Sequence, residues 1–177
     1  MLDRESTVLI VIDFQERMMP HIEGGKEVIK NAIKLIKSAK IFELPIIVTK
    51  QKKLGEIISE IKKEIGYEAI EKITFSCWRN EKFIQKLEET ERKKCLVIGI
   101  ETHICVLQTS LDLLANGYEV HVAFDCTGSR KKEDKRIAEQ RMTAEGVKPT
   151  SAEIAIYELL KSADVQEFKE ILKIIKE

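Results

Sequence analysis

The sequence predicts an α/β fold in which a parallel sheet carries helices on both faces. Short apolar runs rich in β-branched residues recur along the chain, as expected of strands that are buried on both sides. Between them lie segments whose apolar residues repeat at helical spacing. Because strands and helices alternate along all 177 residues, we expect right-handed crossovers between parallel strands in a single domain spanning residues 1–177.

The first predicted strand is TVLIVIDF at 7–14, a continuous apolar run. Apolar residues then recur every three or four positions, which predicts a helix over 26–42. The segment LPIIVTKQ at 44–51 is a second buried strand, with Pro45 at its start, where a missing N–H is tolerated. A short charged helix is expected over 56–65.

The middle of the chain continues the alternation. EAIEKITF at 68–75 predicts a weaker strand, and a helix is expected over 80–88. KCLVIGI at 94–100 predicts another strongly apolar strand. The following helix, 105–116, should end at an Asn-Gly pair at 116–117, which is a good C-terminal stop.

The last part of the chain begins with a strand, YEVHVAFDC at 118–126, followed by a helix over 131–145. The sequence TSAE after it resembles a capping box, in which Thr150 accepts from the Glu153 amide and Glu153 reaches back. Two further helices are predicted, at 151–161 and 164–176.

Composition excludes several function classes. Thirty basic residues balance thirty acidic ones, so nothing suggests a bulk affinity for nucleic acid or an acidic membrane. The apolar stretches are too short to span a bilayer, and we expect no membrane association. The four cysteines are far apart without a CxxC motif, so we expect reduced thiols in a cytoplasmic protein.

Three chemically suited residues lie at predicted strand ends. Asp13 ends the first strand, Lys72 lies near the end of EAIEKITF, and Cys105 follows KCLVIGI and opens a helix. In parallel α/β sheets, ligands bind beyond the carboxyl ends of the strands, so these side chains should meet in one crevice. The helix dipole and a nearby ammonium group should favour the thiolate of Cys105, and a carboxylate can accept its proton. This set suits covalent acyl transfer.

These residues carry a family resemblance. Asp13 in VLIVIDFQ, Lys72 in EKITFSCW and Cys105 in GIETHICVLQT, in that order and spacing, resemble the isochorismatase-like cysteine hydrolase superfamily, in particular its isochorismatase domain-containing branch. The similarity covers essentially the whole chain. It implies a three-layer α/β/α Rossmann-like sandwich with a six-stranded, mainly parallel sheet.

The resemblance also implies roles for these side chains. Cys105 would be the nucleophile, Asp13 the general base, and Lys72 the group that orients and stabilises charge. A non-proline cis peptide bond is implied between Ile100 and Glu101. The backbone amides of Glu101 and Cys105 would then form the oxyanion hole.

The chain departs from the metal-binding members of the superfamily. Nicotinamidases carry an Asp and histidines after the second strand, whereas this stretch reads VTKQKKLGE, without either residue. The three histidines (His21, His103 and His121) form no ligand cluster in sequence. We therefore expect no metal and no cofactor.

The pocket walls are less well defined by sequence. Pockets are mostly apolar with a few polar anchors. Side chains near the three strand ends that could line the pocket, or equally serve as plain packing, are Gln15, His21, Phe75 and Trp78. His103 lies two residues before Cys105, but a Cys–His dyad is disfavoured because residues so close on a tight loop rarely face each other.

Two function classes remain open. The first is a cofactor-free cysteine hydrolase that cleaves a C–N bond of a small amide or carbamoyl compound through a thioester intermediate. The alternative is a catalytically silent binding or assembly protein that retains the site architecture. The resemblance suggests a homo-oligomer, a dimer or higher, and apolar outer helices could support self-association.

Overall fold

The computed structural model describes residues 1–66 and 68–177. These residues form a six-stranded sheet in the order β3-β2-β1-β4-β5-β6, and every neighbouring pair is parallel. The strands are β1 (Thr7–Ile12), β2 (Ile46–Gln51), β3 (Ile70–Lys72), β4 (Lys94–Ile100), β5 (Glu119–Gly128) and β6 (Lys148–Thr150). The α-helices are α1 (Gly25–Ile41), α2 (Ser59–Ile65), α3 (Glu81–Glu88), α4 (Leu107–Ala115), α5 (Lys132–Ala144), α6 (Ala152–Leu160) and α7 (Phe168–Lys176).

Two apolar cores lie on opposite faces of this sheet. Successive side chains of a strand point to opposite faces. Leu9 and Val11 of β1 therefore pack in the core formed with α1, α2, α6 and α7. Val8 and Ile10 pack in the core formed with α3, α4 and α5. The predicted three-layer α/β/α sandwich with a six-stranded sheet is confirmed.

The weakest elements differ from their predicted bounds. The strand expected over 68–75 is regular only at β3, and Ile73 and Phe75 beyond it are exposed. The sixth strand, β6, has three residues and contains a proline, so it leaves no apolar pattern to detect.

The predicted cap of α6 is wrong. The hydroxyl of Ser151 accepts from the amide of Ile154 at 3.2 Å. Thr150 cannot fill that position because it is the last residue of β6, paired in register with Ala123.

The helix after β4 begins with a π-helical turn, Thr102–Val106, before α4. Its hydrogen bond runs from the amide of Val106 to the carbonyl of Glu101, five residues back, at 3.2 Å. Turns of this kind occur frequently at functional sites. This one contains Cys105.

The strand order reverses between β1 and β4. The chain builds outward from β1 to β3, then returns to β4 and builds outward to β6. Ligands bind at such a switch point. The two strands approach closely there: Gly99 pairs with Ile12, and a Cβ at position 99 would lie 2.3 Å from the Ile12 carbonyl oxygen. Only glycine fits this contact.

A membrane-spanning helix is not found in the part of the chain that the structure describes, since its helices are too short or too polar to cross a bilayer.

Candidate active site

Asp13 follows β1 directly and is buried at the switch point. Its amide continues the ladder by donating to the carbonyl of Thr49 at 3.1 Å. Its φ is +53°, in the left-handed region, which Asp tolerates better than most residues. Such conformations cluster at functional sites, and this one places the carboxylate beyond the strand end.

Lys72 is the last residue of β3, and its side chain is completely buried. Its Nζ donates to Asp13 Oδ2 at 2.6 Å and to Gln51 Oε1 at 2.8 Å. The same nitrogen lies 3.4 Å from the Thr74 carbonyl oxygen and 3.6 Å from Cys105 Sγ. The ammonium group thus bridges the carboxylate and the thiol.

The charges of the site keep Lys72 protonated. Burial acts to lower the pKa of this lysine, but the negative charge of Asp13 and the neighbouring groups of Cys77 and Cys105 more than offset it. The net result is a pKa raised above the ordinary value. Asp13 and Lys72 therefore form a buried ion pair.

Cys105 lies in the π-helical turn and lines the cavity above the ion pair. Burial raises the pKa of its thiol, the carboxylate of Asp13 raises it further, and Lys72 only partly opposes them. The expectation that the helix dipole and Lys72 favour the thiolate is therefore corrected, because burial and the carboxylate of Asp13 together favour the protonated thiol. The sequence did not reveal how deeply the sulfur is buried.

All four cysteines are free and buried. Burial raises the pKa of Cys77 to about 11 and that of Cys95 to about 12. Cys95 belongs to β4 and packs in the core with α3, α4 and α5. Of these thiols, Cys105 is the one that lines the cavity beside Asp13.

The second oxygen of Asp13 is held by β2. Thr49 donates its hydroxyl hydrogen to Asp13 Oδ1 at 2.8 Å. The sulfur of Cys77 lies 3.7 Å from that hydroxyl oxygen. Because the hydroxyl proton of Thr49 is directed at Asp13, the thiol of Cys77 is the donor in this second contact. Both carboxylate oxygens thus have a fixed partner.

Glu101 contributes both its backbone and its side chain. The peptide bond between Ile100 and Glu101 is cis. The N–H of Glu101 donates to no other residue within 1–66 and 68–177. Its buried carboxylate accepts from the backbone amide and from Nε of Arg130, each at 3.0 Å. An unused N–H beside Cys105 suits an oxyanion.

These groups surround a cavity of about 320 Å³. Besides Asp13, Glu101 and Cys105, it is lined by polar side chains, namely Gln51, Lys52 and Arg130. Its apolar lining consists of Met18, Leu54, Phe75, Ile100 and Ile104. In the described part of the chain, no three His, Cys, Asp or Glu side chains are grouped so that they could hold a metal ion.

The candidate pocket residues have different positions. Phe75 lines the cavity. Gln15 is buried and does not: its amide nitrogen donates to the carbonyls of Gln51 and Gly55, which secures the loop after β2. Trp78 packs edge-on against Tyr118, with ring centroids 5.7 Å apart.

Histidines do not contribute to the cavity lining either. His21 is exposed in the 3₁₀ turn after β1. Nδ1 of His103 lies 2.9 Å from the hydroxyl oxygen of Ser129, so this ring nitrogen is hydrogen-bonded to Ser129 and not to Cys105. His121 is buried, with Nε2 2.7 Å from Glu119.

Sequence reasoning missed three residues that hold the site. Thr49 and Gln51 belong to the predicted second strand, and their position near its carboxyl end was an available signal. Arg130 follows β5, and its partnership with Glu101 spans 29 positions in sequence. No local pattern reveals such a pairing.

Comparison with known proteins agrees with this architecture. Residues 7–154 match the family model of the isochorismatase domain. The chain belongs to the isochorismatase family. It is 34% identical over 175 residues to isochorismatase domain-containing protein 2A of Mus musculus, covering 98% of this chain and 84% of the mouse protein. Membership supports a hydrolase of this superfamily.

Solved structures of isochorismatase-fold proteins superpose closely on this one. The structure of the MAR1 ribonuclease from Caenorhabditis elegans has a TM-score of 0.93 at 32% identity, covering 99% of this chain and 92% of that one. YcaC from Pseudomonas aeruginosa, solved with hexane-2,5-diol and covalent acrylamide, has a TM-score of 0.91 at 25% identity, covering 98% and 90%.

Proposed function

We propose that this isochorismatase-family protein is a cofactor-free cysteine hydrolase that cleaves the C–N bond of a small amide or carbamoyl compound through a thioester. The observation that carries the proposal is the buried Lys72–Asp13 pair, with Nζ of Lys72 3.6 Å from Cys105 Sγ at the base of a cavity. A buried ion pair costs desolvation energy, so its place beside a thiol argues for chemistry rather than stability.

In the first half-reaction, the thiol of Cys105 gives its proton to Asp13 as Sγ attacks the carbonyl carbon of the substrate. The N–H groups of Glu101 and Cys105 receive the negative oxygen. When the tetrahedral intermediate collapses, the C–N bond breaks and the leaving nitrogen takes the proton from Asp13. Ammonia or an amine departs, and the acyl group remains on sulfur.

In the second half-reaction, Asp13 takes a proton from a water molecule, whose oxygen attacks the thioester. The C–S bond breaks, and the sulfur recovers the proton from Asp13 as the acid leaves. Lys72 stays charged throughout and stabilises the ionised form of whichever neighbour carries the negative charge. The raised pKa of Cys105 fits this scheme, because proton transfer then accompanies attack rather than preceding it.

The covalent acrylamide in the Pseudomonas aeruginosa structure supports a nucleophile in this family fold. The ribonuclease name of the Caenorhabditis elegans neighbour raises a different substrate. A thiol next to a carboxylate suits acyl transfer better than phosphodiester cleavage, and the balanced charge of this chain gives RNA no broad electrostatic attraction. RNA cleavage is therefore assayed as a comparison with the hydrolysis of small amides.

The test is ammonia release from a panel of small amides and carbamoyl compounds, with RNA cleavage assayed in parallel. Cys105→Ala is expected to reduce turnover by at least a thousandfold while its circular dichroism and melting temperature stay near wild type. Cys95→Ala is the matched control, because Cys95 is a buried thiol near the amino end of β4, whereas Cys105 follows the carboxyl end. The Cys95→Ala variant should retain turnover. Appreciable turnover in Cys105→Ala would contradict the mechanism.

The binding or assembly alternative predicts a different pattern. Ile154 and Tyr157 of α6 are large apolar side chains left exposed, as a self-association surface would require. Under the binding or assembly hypothesis, the double variant Ile154→Asp with Tyr157→Asp would change the oligomeric state in sedimentation velocity. Cys105→Ala would then behave like wild type in every assay. We propose a homo-oligomeric enzyme, for which both the assembly change and the loss of turnover are expected.

A further inference from the structure

Apolar side chains from three different loops and from the π-helical turn line the cavity beside Cys105, and we call these four side chains its apolar wall. Met18 comes from the segment after β1, Leu54 from the segment after β2, and Phe75 from the segment after β3. Ile104 of the π-helical turn completes this wall. Phe75 is 53% exposed although aromatic side chains gain much from burial, so a ligand in the cavity has apolar surface to cover.

The charges at the cavity are largely neutralised by the protein itself. Asp13 is paired with Lys72, and the buried carboxylate of Glu101 is paired with Arg130 through two hydrogen bonds. A substrate carboxylate next to Arg130 would therefore also meet the carboxylate of Glu101. Lys52 is exposed, so water screens its charge.

The size of the cavity limits its occupant. Its volume of about 320 Å³ lies at the lower end of the range for small-molecule pockets. Part of that space must hold the reacting amide between Cys105 and the N–H of Glu101. The remainder borders the apolar wall and has room for a short alkyl group.

We infer that this site, resting on the proposed hydrolase function, is specific for small uncharged amides whose non-reacting part is a short aliphatic group. Phe75 is then a specificity-determining residue, because it supplies the most exposed part of the apolar wall. Each methylene group that the wall covers should raise kcat/KM by about fourfold until the cavity is full.

The experiment compares kcat/KM along the series acetamide, propionamide, butyramide and valeramide with that for two charged amides of similar length, succinamate and β-alaninamide. The expected result is a rise of about fourfold per methylene group and at least a tenfold preference for valeramide over either charged amide. Phe75→Ala should flatten the series. Ile73→Ala is the matched control, since Ile73 is 72% exposed in the same loop and does not line the cavity.

A flat series, or a preference for succinamate or β-alaninamide, would overturn the inference. To separate it from the proposed function, the same six compounds are titrated against Cys105→Ser, with binding followed by ligand-observed NMR. If wild type releases ammonia neither from these compounds nor from the wider panel of amides and carbamoyl compounds, but the variant binds valeramide best, the hydrolase proposal fails and the apolar specificity stands. If the protein hydrolyses amides but prefers succinamate or β-alaninamide, only the specificity inference fails. If none of the six compounds is hydrolysed or bound, the specificity inference is overturned as well.

Discussion

The two edges of the sheet carry ion pairs of nearly equal length but very different surroundings. At the carboxyl edge, Lys72 and Asp13 are 2.6 Å apart, with side chains 0% and 2% exposed. At the amino edge, where β4 begins, Lys94 and Asp3 are 2.7 Å apart, with side chains 23% and 27% exposed. The two pairs therefore differ in burial rather than in length.

Burial gives the two pairs different energies. A solvent-accessible pair contributes at most about 1 kcal/mol to stability, because water screens the charges. A buried pair must offset a desolvation cost of several kcal/mol per ion, so apolar replacements of the same shape are often at least as stable. The Lys72–Asp13 pair is thus an inefficient way to stabilise a fold, which favours its assignment to chemistry.

The largest expected effect comes from breaking only one half of the buried pair. Lys72→Met leaves the Asp13 carboxylate buried without a counter-charge and should lower the free energy of unfolding by about 3–5 kcal/mol. Lys94→Met at the amino edge is the matched change and should cost less than about 1 kcal/mol. Urea denaturation of both variants measures the difference, and equal costs would contradict the contrast between the two edges.

The double variant Lys72→Met with Asp13→Asn sharpens this test. It removes both charges, so most of the stability lost in Lys72→Met should return. Turnover should stay at the level of Cys105→Ala, because the proton acceptor is gone. A double variant as unstable as the single one would mean that shape, rather than unpaired charge, dominates the cost.

An intermediate effect is expected from Thr49, whose hydroxyl positions Asp13. Thr49→Val keeps the shape but removes a hydrogen bond to a charged group, worth about 1.5–3 kcal/mol, so kcat should fall about tenfold to a hundredfold with little change in KM.

Thr49→Ser is the rescue variant, because it restores the hydroxyl that donates to Asp13, and it should recover kcat. A role in packing alone would predict the reverse, with Val tolerated better than Ser. The effect on kcat relative to KM in the two variants is therefore the deciding measurement for Thr49, and an unchanged kcat in Thr49→Val would remove its positioning role.

The smallest effect is expected at the amino edge on acidification. Hydrogen bonds from Lys148 and His121 lower the pKa of Glu119 from 4.5 to about 2. Because the folded value lies below the unfolded one, the stabilisation is present above pH 4.5 and is lost as the pH falls towards 2. Glu119→Gln should flatten this part of the stability curve by less than about 1 kcal/mol.

Melting temperatures between pH 6 and pH 2.5 measure this slope. Glu133→Gln is the control, since Glu133 pairs with Arg136 on the exposed face of α5 with a side chain 64% exposed. The hydrogen bond from Arg136 also lowers the pKa of Glu133, but solvent screens this exposed contact, so the slope of Glu133→Gln should stay closer to wild type than that of Glu119→Gln. If both variants flatten the curve equally, partial burial at the amino edge has no special effect.

The parts of this molecule that were predictable from sequence are those with strong local signals. Apolar runs identify β1 and β4, which are buried almost throughout, and the apolar-rich segments of β2 and β5. The three-residue β6 and the Ser151 cap depend on tertiary pairing rather than on local pattern.

The site shows the same division. Asp13 and Cys105 follow strong strands, so their nearness to the switch point could be predicted. The pKa direction of Cys105 could not, because it depends on how deeply the sulfur is buried and how near Asp13 lies. The sequence left open whether Gln15 lines the pocket or serves as packing. The structure shows that Gln15 holds the loop after β2 and that Gln51 contacts Lys72, which depends on how that loop folds.

The position of Asp13 relative to Glu101 depends on Gly99 having no side chain. A single methyl group there would lie 2.3 Å from the Ile12 carbonyl oxygen and would push apart the two strands that carry Asp13 and Glu101. Asp13 and the backbone N–H of Glu101 thus keep their spacing through direct contact between the two backbones. Even Gly99→Ala, the smallest change possible at this position, would therefore disturb the spacing between Asp13 and Glu101 on the two strands.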